Sequence, residues 1–497
     1  MFDAVPDMAL RRAELAPDGI AFRDAGSGRD WRFAEVNAAA DAIAEGLEAQ
    51  GLAEGDRLAV LCLNRADFFL TLLACQKSGI ILCPLNWREP AVQLARMLAT
   101  IRPRAILHDA PHRALAEQTA ARIGAASIGM EDHLPGWIAA GGRPRRAAIP
   151  AERPWYLLFT SGTTGHPRAV IQSARMAWAN AVNIGQAVGL GGETRAVNYL
   201  PLFHTAGINL YTLPVFLNGA VSTILPRFDA PELLRLLARG ALTHFFGVPA
   251  IYRAFSLDPG VDSVDWSAIS CGCGGAPLPE PLIRFFAERG AHVLNGCGLT
   301  ETGPTVFLMD PAGAVGKIGS VGKAQVLTEA RLAGVPDGEP GQGEVQLRGP
   351  NVTPGYYGDA AATEAAFTAD GWLATGDVAR RDADGYYWIV DRIKDMFVSG
   401  GENVYPAEVE RVLNAHPAVL EAAVIGVADA RWGEVGAGFV MLRPDAPAPD
   451  PEALRAWCRE RLAGFKVPAT LRVVEEFPRT AAGKIRKRDL REVPSFA

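Results

Sequence analysis

The chain has 497 residues, more than one hydrophobic core usually organises, so two or more domains are expected. Nearly half of the residues, 49%, are apolar, enough to fill large cores. The 49 Lys and Arg residues against 55 Asp and Glu leave a net charge of −6, which argues against a nucleic-acid or anionic-membrane surface as the main partner. Any anionic ligand must therefore be met by local groups.

The chain start, Met1-Phe2-Asp3-Ala4, lacks the basic-then-apolar form of a leader, and no apolar run reaches membrane-spanning length, so a soluble, cytoplasmic protein is expected. Val36, Ala40, Ile43 and Leu47 recur at helical spacing and predict an amphipathic helix. After the Gly55-Asp56 turn, residues 57–64 read as a buried strand, 68–79 as a helix and 79–86 as a second strand. That is a βαβ unit, which favours a parallel sheet covered by helices. WYLLF at 155–159 predicts a strand running into the loop FTSGTTGHPR. The alternation returns with a helix over 231–240, a strand over 243–249, a helix over 281–290 and a strand over 291–296. Functional loops in such sheets lie at the carboxyl ends of strands. FTSGTTGHPR, and CGCGGAPL after the apolar stretch around Ile269, are placed as that rule expects. After about residue 310 the composition shifts. Residues 343–349 and 385–392, flanked by Gly, Asp and Pro, predict short antiparallel strands. Beyond Arg392, a helix over 407–416, strands over 420–427 and 436–442 and a helix over 451–463 predict a smaller α+β unit long enough to fold alone. The expected fold is thus a large α/β unit of layered sheets and helices, 1–391, and a small mobile α+β unit, 392–497. The charged link Asp391-Arg392-Ile393-Lys394 is the candidate hinge.

Two local patterns carry chemistry. The segment 159–168 gathers the hydroxyls of Thr160, Ser161, Thr163 and Thr164 with Gly162, Gly165 and the basic His166 and Arg168. Such a loop can wrap a cluster of anionic oxygens, phosphate first among them. It is not the common P-loop, because only two residues separate the glycines and Pro167 follows; taken alone, a flexible surface turn is the alternative. The seven cysteines are odd in number and sit mostly in apolar or Gly-rich stretches, as reduced, buried cysteines do. Cys271-Gly272-Cys273 has no second Cys/His pair at ligand spacing, so no structural metal site is expected there.

Five further segments join 159–168: NYLPLFHTAG (198–207), GGAPL (274–278), NGCGLTETGP (295–304), GWLATGDVARRDADGYYWIVDRIKD (371–395) and PRTAAGKIRK (478–487). Together and in this order they resemble the adenylate-forming family of acyl-CoA synthetases, luciferase-like enzymes and adenylation domains, over essentially the whole chain. The resemblance implies that residues Thr160 to Gly165 and Arg168 grip the β- and γ-phosphates of ATP. Arg168 stands where the family usually has Lys, keeping the charge but changing its geometry. It implies that Thr300 meets the α-phosphate and that Glu301 helps hold Mg2+, a hard cation that takes oxygen ligands. A helix cap is the other reading of this Thr-Glu pair. Asn295, Gly296, Cys297 and Gly298 lead into that pair. Cys297 replaces the family's usual adenine-stacking aromatic residue, which leaves the backbone of Gly274, Gly275, Ala276 and Pro277 as the adenine platform. Asp377 is the implied ribose acceptor, and Arg392 an implied contact to the same nucleotide. His204 is the implied gate between nucleotide and acyl pocket. Gly400 and Gly401 are implied to let backbone pass close to the thiol arm, and Trp432 is a candidate stack for the CoA adenine, with ordinary packing as its alternative. Lys484 is the implied catalytic cation, since a carboxylate and an α-phosphate must meet against their mutual repulsion.

The expected reaction has two steps: an acid and Mg·ATP give acyl-AMP and pyrophosphate, then a thiol gives the thioester and AMP. Coenzyme A is the expected thiol, because only about ten residues follow Lys487 and no carrier domain is among them. A stand-alone adenylation enzyme loading a separate carrier, or a non-catalytic nucleotide-binding protein, are the rivals. Phe203, Ile208, Phe246 and Thr305 are the pocket candidates, and their mainly apolar character points to a fatty, medium-chain or aryl acid. A homodimer is left open.

Overall fold

The computed structural model describes residues 3–145, 148–160, 167–393, 395–444, 446–447, 449–479 and 485–492. The predicted βαβ unit is its first organising element. Strands Arg57–Leu61 and Ile81–Pro84 are parallel, with Leu58 opposite Leu82, and helix Ala66–Ser78 crosses between them. That helix is buried on almost every side, because sheets cover it from two directions. Phe69 stacks on Phe22 of strand Ile20–Asp24 at 5.4 Å, while Trp155 of strand Pro154–Thr160 donates to the Leu72 carbonyl at 2.7 Å. The helix stops at Gly79, whose left-handed φ of +77° lets its N–H reach the Cys75 carbonyl. Lys77 on its last turn is fully buried between Asp7 at 2.7 Å and Asp41 at 3.1 Å.

Five strands form the sheet that matters most for the site. His244–Gly247, Ser270–Cys273 and Val293–Leu299 run parallel, and Gly303–Leu308 then returns antiparallel, followed by Lys323–Ala324. The sequence ends the third of these strands at residue 296; in the structure it continues to Leu299. The parallel pairing stops at Cys273 opposite Asn295, but the antiparallel return keeps pairing as far as Leu299 opposite Gly303. Behind this sheet Trp266, Tyr252, Phe255 and Phe286 form an aromatic core, with Trp266 and Phe286 edge to face at 5.0 Å.

Strands Glu329–Leu332, Gly341–Arg348, Leu373–Arg381 and Tyr387–Arg392 form an antiparallel sheet, as the turn-rich composition implies. A last sheet pairs Val419–Asp429 with Gly433–Leu442 and adds Phe397–Ser399, Glu402–Val404 and Thr470–Val473. Helices Pro406–Asn414 and Pro451–Arg459 cover it through Val409, Leu413, Leu454 and Cys458. The second helix ends earlier than residue 463, at Arg459, where the Arg461 amide tightens to a bond with the Cys458 carbonyl three residues back. A large α/β unit followed by a small α+β unit is the class expected from the sequence.

Six of the seven cysteines are buried, and Cys297 is partly exposed. Among the described residues no helix is long and apolar enough to cross a membrane. Trp266 is 1% exposed and its indole donates to the Val261 carbonyl at 2.9 Å. Trp266→Ala is expected to cost about 3–5 kcal/mol in denaturant unfolding, and a loss below about 1 kcal/mol would show that the aromatic core is not what supports this sheet.

Candidate active site

The chain turns sharply where Val293–Leu299 gives way to a single 3₁₀ turn, Thr300–Thr302. All three carbonyls of that turn are captured. Gln172 Nε2 donates to Thr300 at 2.8 Å, the Thr353 amide to Glu301 at 2.7 Å, and Asn351 Nδ2 to Thr302 at 2.9 Å. Gly303 closes the turn at φ +81°, a conformation that disfavours a side chain, and a Cβ there would lie 2.9 Å from Asn180 Oδ1. The backbone is thus fixed from outside, and the side chains of Thr300 and Glu301 stand on it half-exposed.

Glu301 is aimed further by a residue far away in sequence. The Tyr356 hydroxyl donates to its Oε1 at 3.0 Å. Tyr356 is held there because residues 353–357 run alongside strand Arg168–Ser173: the Ile171 amide donates to Gly355 at 3.1 Å and the Tyr357 amide to Ala169 at 2.8 Å. The Arg168 guanidinium lies 5.2 Å from the centre of the Tyr356 ring. Burial, then the neighbouring Glu301 charge, pushes the Tyr356 hydroxyl up to about 12, against the opposing pull of Arg168, so it stays protonated and remains a donor. Thr160 pairs with Arg168 across a hairpin. Ser161, Gly162, Thr163, Thr164 and Gly165, which join them, lie outside the described residues.

Strand Ser270–Cys273 ends beside this turn. Gly274 is buried, and a Cβ on it would come within 3.0 Å of both the Gly296 carbonyl and the Phe246 ring; a Cβ on Gly272 would meet the same ring at 2.9 Å and the Tyr211 hydroxyl at 3.3 Å. Two missing side chains thus leave room for one aromatic wall. Gly275, Ala276 and Pro277 are exposed beyond it. Asn295 is buried and reaches the Ser320 carbonyl at 3.4 Å, whereas Gly296, Cys297 and Gly298 are half-exposed. Asp377 and Arg392 face each other across two antiparallel strands, Oδ1 to Nε 2.9 Å. Burial opposes the Arg392 charge, but Asp377 and Asp395 outweigh it and hold the guanidinium above its usual value.

His204 lies on the loop before a π-helical turn, Ala206–Leu210, with the Phe203 ring 4.8 Å away. Asn198 Nδ2 donates to the Gly207 carbonyl at 2.6 Å, and the Tyr156 hydroxyl to Asn209 Oδ1 at 2.6 Å, which anchors the turn from beneath. The pocket candidates need correcting here. Ile208 is packed into the main core beside Leu213 and Phe216, and Phe203 and Thr305 are also buried; of the four only Phe246 keeps an accessible face. The apolar character that suggested a lining also suits a core, and burial distinguishes the two.

In the small unit Gly400 and Gly401 form the tip between strands Phe397–Ser399 and Glu402–Val404, both with left-handed φ. The Trp432 ring rests on that tip, 2.8 Å from where a Gly400 Cβ would be, yet remains 46% exposed. Lys484 lies outside the described residues, as does the hinge candidate Lys394. Among the described residues that flank residue 484, Arg479 pairs with Ile485, and the Arg486 amide donates to the Pro478 carbonyl at 2.7 Å. The nearby cations have carboxylate partners, Arg479 with Glu421, Lys487 with Glu410 at 2.8 Å, and Arg486 and Arg488 with Asp489 at 3.2 Å. Tyr356, Gln172, Asn351 and Thr353 were not among the sequence candidates; no motif spacing connects them to residues 300–302.

Comparison with known proteins bears on this geometry directly. Residues 10–357 match the AMP-binding enzyme family and 408–484 its C-terminal domain. Feruloyl-CoA synthase of Amycolatopsis sp is 38% identical over 97% of each chain, and indoleacetate–CoA ligase of Aromatoleum aromaticum is 35% identical over 97% of this chain and 96% of its own. Other relatives are named for long-chain fatty acids. The o-succinylbenzoate CoA synthetase of Bacillus subtilis, solved with its acyl-adenylate intermediate, superposes over the full length of both chains with a TM-score of 0.88 at 30% identity. Because the match extends through both units, the chain belongs to the AMP-binding enzyme family and is an AMP-forming acyl-CoA synthetase that uses ATP, Mg2+ and CoA.

Proposed function

We propose that the acid is a carboxylate carrying an uncharged aryl or aryl-alkenyl tail, and that the residues gathered at the Thr300–Thr302 turn divide the work of activating it. The observation that carries the nucleotide assignment is the captured turn. With three carbonyls fixed, Thr300 has a hydroxyl to offer the α-phosphate and Glu301 a carboxylate whose Oε2 has no partner among the described residues. Such an oxygen suits a hard cation, and Tyr356 orients it as an outer partner does. Magnesium, when bound, supplies charge neutralisation at the phosphates. Arg168, beside Tyr356, is suited to the outer phosphates, and Asp377, backed by Arg392, to the ribose hydroxyls.

In the first step a carboxylate oxygen bonds to the α-phosphorus as its bond to the bridging oxygen breaks, and pyrophosphate leaves. Lys484 is assigned to this step as the cation between two anions. In the second step the CoA thiolate bonds to the acyl carbon and AMP leaves with the electron pair of the anhydride bond. Gly400, Gly401 and Trp432 are assigned to the approach of CoA, and the division between residues 391 and 392 to the change of arrangement between steps. His204, on its anchored loop, is assigned to the boundary between nucleotide and acid. The aryl assignment rests on the wall made by Phe246 over Gly272 and Gly274, with the Tyr211 hydroxyl at its edge: a flat aromatic face with one polar atom favours an aromatic tail carrying a hydroxyl.

A panel of ferulate, indoleacetate, octanoate, palmitate and malonate, assayed for AMP and thioester, is expected to favour the first two by at least about tenfold in kcat/KM, a difference of about 1.4 kcal/mol. Preference for palmitate or malonate would remove the aryl assignment. Tyr356→Phe is expected to raise the Mg·ATP concentration needed for half-maximal rate about tenfold, since a hydrogen bond to a charged group contributes about 1.5–3 kcal/mol. An unchanged Mg2+ dependence would separate Tyr356 from the metal. Lys484→Ala is expected to lose acyl-AMP formation while still converting supplied acyl-AMP to thioester; equal loss of both steps would contradict its assignment.

A further inference from the structure

A carboxylate far from the nucleotide-side turn bridges the two units. Helix Pro249–Ser256 follows directly on strand His244–Gly247, which carries Phe246, and is fixed to the sheet by Tyr252: its hydroxyl donates to the Gly272 carbonyl at 2.8 Å and its ring meets Phe286 at 5.1 Å. The next residue, Arg253, points the other way. Its Nη1 donates to Glu421 Oε2 at 2.7 Å and its Nη2 to the Leu420 carbonyl at 3.2 Å, both at the start of strand Val419–Asp429 in the small unit. The same carboxylate accepts from Arg479, at Oε1 at 3.2 Å and also at Oε2. Arg479 in turn pairs with Ile485, and these two residues flank the segment that carries Lys484.

Three charged groups therefore form one path, from the aromatic wall to the base of the lysine loop. Two guanidiniums do not come together unaided, and Glu421 is what holds them. Burial opposes the Glu421 charge, but hydrogen bonding from Arg479 and the Arg253 field outweigh it and keep the carboxyl below its usual range. The membership of the cluster is uneven: Glu421 and Arg479 belong to the small unit and travel together, whereas Arg253 stays with the large one. Parting from Arg253 leaves a neutral Glu-Arg pair and a guanidinium that water can solvate. A buried ion pair is close to neutral in net stability against its solvated parts, so such a contact fixes geometry without locking it.

We propose that Arg253, Glu421 and Arg479 are a reversible latch between the two units, with Arg253 as a positioning residue that sets the Lys484 loop for adenylation and releases it for thioester formation. This rests on the two-step reading above. The test uses the full chain and measures the half-reactions separately: pyrophosphate release from acid and ATP without CoA, and thioester formation from supplied acyl-AMP and CoA. Arg253→Met is expected to slow the first at least tenfold and leave the second within twofold, and Arg253→Lys to recover much of the loss. In parallel, hydrogen exchange with ATP present is expected to be at least tenfold faster over residues 419–422 in Arg253→Met than in the unaltered chain, and unchanged over 437–441. Equal loss in both half-reactions, no loss in either, or unaltered exchange at 419–422 would overturn the latch. An unaltered chain that releases no pyrophosphate with any acid would instead count against the functional reading, and the exchange measurement would still decide the latch.

Discussion

The capture of three successive carbonyls at Thr300, Glu301 and Thr302 is the constraint on which the rest of the site depends. An isolated 3₁₀ turn is a weak element, with poor hydrogen-bond geometry and few internal bonds. Here its stability comes from outside, through Gln172 on one strand and Asn351 and Thr353 on a neighbouring segment. The consequence is directional. A hydroxyl and a carboxylate that would wander on a free loop are held on a rigid platform, as electrostatic catalysis requires when donors and charges must be in place before reaction.

The second constraint is charge. A chain with net charge −6 must concentrate cations locally if it is to bring a carboxylate to a triphosphate. It does so by pairing most of them: Arg392 with Asp377, Arg479 and Arg253 with Glu421, Lys487 with Glu410. Paired cations orient and join elements, whereas a cation intended for substrate has to arrive without a carboxylate partner of its own. In the proposed mechanism that cation stands on a separate unit, which lets one site take a lysine in the first step and a thiol in the second.

Much of the architecture could be read from periodicity. Val36, Ala40, Ile43 and Leu47 lie on the buried face of helix Phe33–Ala49, and the βαβ unit at 57–86 formed as expected, because parallel buried strands and their crossover helices leave long apolar runs. The motif order led to the family because six segments had to agree at once. What escaped were contacts between residues distant in sequence. Tyr356 stands 55 positions from Glu301, and Arg253 stands 168 from Glu421, separations that no local pattern records. Ile208 escaped for another reason: an apolar residue beside a ligand and one inside a core look alike until burial is known. The strand end at Leu299 depended on a partner strand that pairs only after the chain has turned back.

The central claim, that a fixed turn aims Glu301 at the cation accompanying ATP, is tested most directly by equilibrium binding of ATP with and without Mg2+. The unaltered chain is predicted to bind ATP more tightly when Mg2+ is present, and Glu301→Gln to lose that increment while binding metal-free ATP as before. If Glu301→Gln retains the full Mg2+-dependent increment, the carboxylate does not serve the metal and the account is contradicted.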